Sequence, residues 1–255
     1  MPELPEVETF ARSIAGGVGG EALVSSTSSG LRYVKESVCE VEDIAPGTVI
    51  EGYRRHGKAL FLKLSSGRWL YIHFGMSGRP LVFDGDEPPY TRLRLDFEGR
   101  SLSVQDPRRL GGVGVLDSPE DYLLPRRRGP DALSVGREEL LSRLKGGRAV
   151  KAALMDQSLI AGVGNLYADE VLFQAAVLPR RRVDSLHEEE RAAVHEWIGR
   201  ALRASLDAGT DLSRLPEGMM LRVRSKDGTC PRCLIPWSVG TVGGRTSYFC
   251  EGCQR

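Results

Sequence analysis

The chain has 255 residues, 41% of them hydrophobic and 27% charged, with a formal net charge of +1. That is enough for two modest domains with real cores. It holds no apolar run of membrane-spanning length and no basic-then-apolar leader, so a cytoplasmic protein is expected. The near-zero charge does not advertise a polyanion partner, so any basic binding face must be local.

The opening MPELPEVETF predicts a helix from about Pro5. Proline suits the first helical turn, Glu6 and Glu8 favour its positive end, and Val7, Phe10, Ala11 and Ile14 fall on one face. None of this explains Pro2 with Glu3 beside it. Residues 22–115 read as short strands. LFLKL at 60–64, a SSGR turn and WLYIHF at 69–74 form one hairpin pattern, and RLRLDF at 92–97 with SLSV at 101–104 forms another. Such a series points to a sandwich or barrel. Three prolines and a basic run between 119 and 133 mark a boundary. From Arg137 to about Leu206 the period is helical, with Ser185 and Glu188 as a capping-box signature. LMDQSLIAGVGNLYADEVLF at 154–173 places helical patterns on both sides of a glycine-rich turn.

The strongest chemical signal is Cys230-Pro-Arg-Cys233, sixteen residues, then Cys250-Glu-Gly-Cys253. Two such knuckles supply four thiolates to one tetrahedral zinc, a closed and therefore structural site. The segment between them carries β-type residues around GTVGGRT, which predicts a hairpin with Arg245 near its tip as a phosphate ligand. Cys39 stands alone and reads as an incidental thiol. AGVGN offers backbone N–H groups at a helix start, a place for an anion, with Lys151 just upstream. Lys58, in GKALFLK, reads most simply as a lysine guarding an edge strand. His73 and Met76 in IHFGMSG, and the arginines of DPRRLGG on a loop, have ordinary structural readings when taken singly. The runs at 126–128 and 180–182 read as linker or surface charge.

Taken in order, PELPEVET, GKALFL, IHFGMSG, DPRR, LMDQSLIAGVGNLYADE and the four-cysteine tail resemble the formamidopyrimidine-DNA glycosylase and endonuclease VIII family. PELPE is closer to the formamidopyrimidine branch. The resemblance implies an α+β fold: an N-terminal β-sandwich with flanking helices over 1–118, a linker at 119–136, a helical helix–two-turn–helix domain over 137–220 and a zinc hairpin over 221–255. It implies a bifunctional glycosylase and AP lyase acting on damaged double-stranded DNA as a monomer, in the cytoplasm (at the nucleoid in a bacterium), with no membrane partner and one structural Zn2+ per chain.

Residue by residue, the resemblance makes Pro2 the amine that attacks C1′ once Met1 is removed, and Glu3 the group that moves protons. Glu6 positions the amine and water, and Lys58 is a phosphate contact that also donates a proton. His73, Asn165, Arg245 and Lys151 become further phosphate contacts. Met76, Arg108 and Leu110 fill the vacated base stack, with Leu110 where most members have phenylalanine. The segment between Gly209 and Cys230 is shorter than the loop that closes over an oxidised purine in the formamidopyrimidine branch, so weak action on 8-oxoguanine is expected. The rival reading is a zinc-dependent DNA-binding protein on the same scaffold without chemistry. Pro2 and Glu3 favour the enzyme.

Overall fold

The computed structural model describes residues 1–255. The chain divides into two compact units, one of residues 1–2 and 6–127, the other of 3–5 and 128–255.

The first unit is a sandwich. Helix α1 (Leu4–Val18) is followed by strands β1 (Leu23–Ser28), β2 (Arg32–Tyr33), β3 (Ile50–His56), β4 (Ala59–Leu64), β5 (Trp69–His73), β6 (Arg79–Phe83), β7 (Thr91–Phe97), β8 (Arg100–Gln105) and β9 (Gly112–Leu116), then by α2 (Pro119–Leu123). Four strands form a sheet in the order β1-β7-β8-β6, and five form another in the order β2-β9-β5-β4-β3. Only the β2–β9 pairing is parallel. Strand β7 shows the alternation of a half-buried strand, with Thr91, Leu93, Leu95 and Phe97 inward. Leu93, Leu95 and Phe97 join Val7, Ala11, Ile14 and Val18 of α1 and Leu60, Leu62 and Ile72 of the other sheet in one core.

Strand β4 is central rather than an edge, and its outer face is buried as well. Phe61 and Tyr71 pack with Tyr122 and Leu123 of α2, Tyr122 stacking on Tyr71 at 4.2 Å. The segment from 119 therefore begins as a helix bound to the sheet. Arg126, from the first arginine run, lies 4.0 Å over the Tyr122 ring and pairs with Glu36 at 3.0 Å. It is structural, not loose linker charge.

The second unit is helical, with α3 (Arg137–Arg143), α4 (Val150–Leu154), α5 (Asn165–Gln174) and α6 (Glu188–Asp207), and ends in a hairpin of β10 (Ser238–Val242) and β11 (Arg245–Phe249). Helix α6 buries Val194, Ile198, Ala201, Leu202 and Ser205, one stripe at helical spacing. Its cap lies two residues beyond the expected pair: Glu190 accepts from the His187 N–H at 2.8 Å. Ser185 instead closes a 3-10 turn, its Oγ donating to the Arg182 carbonyl. Helix α5 is buried along seven consecutive residues, Tyr167 to Phe173, including Asp169 and Glu170. A helix buried all round is a core strut, and its two carboxylates must find partners. The second arginine run is paired too: Arg181 with Glu190, and Arg182 with Asp184 at 2.7 Å.

Candidate functional site

Glu3 belongs to the helical unit and is almost wholly buried. Its Oε2 accepts from the Gly164 N–H at 2.6 Å and more weakly from Tyr167 at 3.4 Å, while Oε1 accepts from Leu166 at 2.9 Å. These are the orphan donors at the start of α5, where the dipole favours a negative charge. The anion expected at AGVGN is thus the chain's own first carboxylate, Glu3. The adjacent Leu4 N–H donates to the Gly162 carbonyl at 3.1 Å. Gly162 has φ +119°, and a Cβ there would stand 2.5 Å from Leu4 Cδ1, so this glycine is needed both for its conformation and for close approach. Gln157 shapes the turn, donating to the Val163 carbonyl at 2.8 Å and accepting from Gly162 N–H at 3.0 Å. Asn165 opens α5 half-buried, its Oδ1 shielded without a hydrogen-bond partner.

In the sandwich unit, Pro2 is half-buried, and so is Glu6 in the first turn of α1. Glu8, read above only as a helix-end charge, accepts from Arg55 at 2.9 Å, Tyr53 at 3.0 Å and Arg12 at 3.0 Å. Burial pushes its carboxyl up, but the bonds from Arg55, Tyr53 and Arg12 prevail and hold it below the usual range. Lys58 does not guard an edge strand. It sits half-buried in the two-residue turn joining β3 to the central strand β4. His73 ends β5, and its Nδ1 accepts from the Gly75 N–H at 3.2 Å, so a neutral ring carries its proton on Nε2. Met76 and Leu110 are 45% and 40% exposed, and Arg108 is exposed on the loop that carries Leu110.

Lys151 corrects the expectation made for it. Its side chain is fully buried, its Nζ lying 2.7 Å from Asp169 Oδ1 and donating to Ser247 Oγ at 2.7 Å and to the Thr246 carbonyl at 3.1 Å. A DNA phosphate cannot reach an ammonium whose donors are spent inside the protein. Asp169 Oδ2 also accepts from Arg224, at 2.7 and 3.1 Å, and from the Tyr248 N–H at 3.2 Å. This network ties α4 and α5 to β11. The hairpin turn is Gly243-Gly244, both with positive φ, and Gly243 packs against Ala152 of α4. Arg245 follows it, exposed. The sequence signal for the network is a pair of adjacent acids, Asp169 and Glu170, on a helix with no other charged residue.

Four cysteines, Cys230, Cys233, Cys250 and Cys253, bring their sulfurs within 4.8 Å of one another, with Cys230–Cys253 at 3.7 Å and Cys233–Cys250 at 3.3 Å. Tetrahedral zinc with bonds of about 2.3 Å needs sulfurs roughly 3.8 Å apart, so the set fits one metal ion with all four positions filled by protein.

Against known families, residues 1–113 match the formamidopyrimidine-DNA glycosylase N-terminal domain and residues 129–216 match the formamidopyrimidine-DNA glycosylase H2TH domain. The chain belongs to the formamidopyrimidine-DNA glycosylase family. Formamidopyrimidine-DNA glycosylases of Syntrophotalea carbinolica and Stenotrophomonas maltophilia are 35% and 36% identical, with all of both chains covered. Among solved structures, the Lactococcus lactis enzyme non-covalently bound to AP-site DNA superposes with a TM-score of 0.88 at 27% identity over 99% of each chain. A MutM structure in complex with carbocyclic 8-oxo-G DNA gives 0.89 at 26% over the whole of both chains. As a member of this family the protein is a DNA glycosylase of base excision repair with AP lyase activity, which sets aside the non-catalytic rival. The two curated alignments run over 272 and 276 positions against 255 residues here, so the relatives carry chain that this protein lacks. No helix is long and apolar enough to cross a membrane.

Proposed function

We propose that Pro2, freed by removal of Met1, is the nucleophile of a bifunctional reaction on oxidised or ring-opened bases in duplex DNA. The observation that carries this reading is the fixing of Glu3, the next residue in the chain, on the N–H groups that open α5. That anchor holds the backbone from which the Pro2 amine projects. An α-amino group has a pKa near 8, so a useful fraction is unprotonated at neutral pH. Its lone pair forms the bond to C1′ as the base departs with a proton. Loss of the ring oxygen's bond to C1′ then gives an iminium, with Glu3 moving protons to and from the sugar. A secondary amine gives an iminium with no N–H to lose, so it remains an electron sink. Removal of a C2′ proton expels the 3′ phosphate, and a second elimination expels the 5′ phosphate. Glu6 positions amine and water, and Lys58 donates a proton during elimination.

The base must leave the stack first, at a cost of a few kcal/mol. Lys58, His73, Asn165 and Arg245 hold the kinked backbone. Met76, Arg108 and Leu110 fill the gap, Leu110 doing so without the stacking an aromatic ring would add. The four cysteines hold Zn2+, whose part is to keep Arg245 on a rigid hairpin. The protein acts as a monomer in the cytoplasm.

The lesion preference follows from the short segment after Gly209. Met219, Met220 and Leu221 are buried, the Leu221 N–H donates to Glu170 at 2.7 Å, and Gln174 donates to the Gly218 carbonyl at 3.0 Å. This stretch is tied into the core, which supports a pocket poor in groups for an oxidised purine's edge. Each unmade bond at such an edge costs about 1–3 kcal/mol, so 8-oxoguanine should be a poor substrate beside ring-opened purines, oxidised pyrimidines or abasic sites. The test of the nucleophile is borohydride trapping on abasic-site DNA: it should be lost when one residue is added ahead of Pro2, and trapping that survives would move the amine elsewhere. Single-turnover excision on matched duplexes tests the preference, and 8-oxoguanine opposite cytosine removed as fast as every other lesion would end it.

A further inference from the structure

The proposed wedge comes from two separate loops, 74–78 and 106–111, and three exposed side chains on two loops would wander unless something fixed them. Asp106 is 1% exposed. Its Oδ1 accepts from Ser77 Oγ at 2.8 Å, in the loop carrying Met76, and its Oδ2 accepts from the Gly111 N–H at 2.7 Å, in the loop carrying Arg108 and Leu110. Its main chain is held as well: its N–H donates to the Tyr90 carbonyl at 3.0 Å, and its carbonyl accepts from Arg109 N–H at 3.2 Å and Arg92 Nε at 3.3 Å. The loops meet backbone to backbone. A Cβ on Gly75 (φ +57°) would stand 2.5 Å from the Leu110 carbonyl carbon, and one on Gly111 would stand 2.8 Å from the His73 carbonyl oxygen. Arg109, between the two proposed wedge residues of its loop, takes φ +53°, a conformation few side chains adopt without outside support.

We infer that Asp106 is a positioning residue for base extrusion: its carboxylate locks the Ser77 and Gly111 loops into one piece, so that Met76, Arg108 and Leu110 enter the duplex as a preformed wedge. The inference rests on the wedge reading above. Both carboxylate oxygens are needed, one for each loop. Preformed geometry spares the wedge the ordering cost at the moment of insertion. Asp106 touches neither sugar nor base, and the chemistry at C1′ does not pass through it.

Strand cleavage under single-turnover conditions, measured on one abasic-site oligonucleotide as a duplex and as a single strand, separates these roles. A single strand has no stack to fill and needs no wedge. Asp106→Ala should slow the duplex reaction by about ten- to a hundredfold, the loss expected for a misplaced positioning contact, and change the single-strand reaction little. Asp106→Asn should restore most of the duplex rate, its amide oxygen accepting from Gly111 N–H while its NH2 donates to Ser77 Oγ. Should Asp106→Ala fold poorly, Ser77→Ala removes one arm alone and should cost the duplex rate roughly two- to tenfold, the worth of one hydrogen bond. Leu110→Ala serves as the control on the wedge itself. If it leaves the duplex-to-single-strand ratio unchanged, the wedge reading falls. If Leu110→Ala lowers the ratio while Asp106→Ala and Ser77→Ala do not, or lower both substrates alike, the clamp is wrong and the wedge stands.

Discussion

Replacing Asp169 with alanine removes the one acid that faces two cations inside the helical unit. Lys151 and Asp169 have no exposed side-chain surface, and Arg224 has 12%. With Asp169 gone, the Lys151 ammonium keeps the Thr246 carbonyl and Ser247 Oγ but loses its only ion-pair partner, and the Tyr248 N–H loses its acceptor. Breaking a buried pair by deleting one member costs about 3–5 kcal/mol, a large part of the 5–15 kcal/mol that holds a typical fold together. Urea unfolding should show a midpoint lowered by at least about 1 M, given slopes of about 1–3 kcal/mol per molar. The pH dependence carries a sign. Burial holds the Lys151 pKa below the ordinary lysine value against the pull of Asp169, and removing Asp169 must lower it further. Between the lowered folded value and the unfolded one, the unfolded chain binds more protons, so stability rises with pH. The deficit of Asp169→Ala should therefore shrink as pH climbs from 7 toward 10. Pairing the change with Lys151→Met should recover much of the loss, since an apolar replacement of a buried pair is often neutral. A deficit below about 1 kcal/mol, set against that expected range, or one that ignores pH, would refute the argument.

Other outcomes follow from single contacts. Gly162→Ala drives a Cβ to 2.5 Å from Leu4 at a backbone φ of +119°, so it should displace Glu3 and lower trapping and stability together; unchanged borohydride trapping would count against the anchor. Chelation of the metal should unfold the hairpin, read by circular dichroism with the Trp237 emission, and Arg245→Ala should reduce the salt slope of DNA binding by about one phosphate contact. Asp156 is raised by burial, but its bonds from Ser158 and Arg148 outweigh this and hold it at about 2. Its contribution is full above the ordinary value and lost as pH falls toward 2, so Asp156→Asn should flatten the acid limb of the unfolding curve in that window.

The sandwich strands, the change to helical period and the four-cysteine cluster were legible because each rests on a local signal: alternation, periodicity or spacing. The candidate site rested only on motifs in a familiar order. What stayed hidden needed the third dimension. Lys151 looked like a spare cation because sequence cannot show that Asp169, eighteen residues on, faces it. Asp106, in DPRRLGG, drew no attention because its second partner lies far off in the chain at Ser77. Lys58 looked like an edge guard because strand order within a sheet is set by pairing, not by sequence position. The cap of α6 fell two residues late because His187 and Glu190 form a reciprocal pair as well as Ser185 and Glu188 could.

Residues 3–5 pack with the helical unit while the rest of α1 packs with the sandwich. A fragment beginning at Arg128 would therefore be born with a vacant socket: three backbone N–H groups at the head of α5 without an acceptor, and the space over Gly162 without Leu4. What fills that socket in the intact chain is the chain's own start, Glu3 on the N–H groups and Leu4 over Gly162.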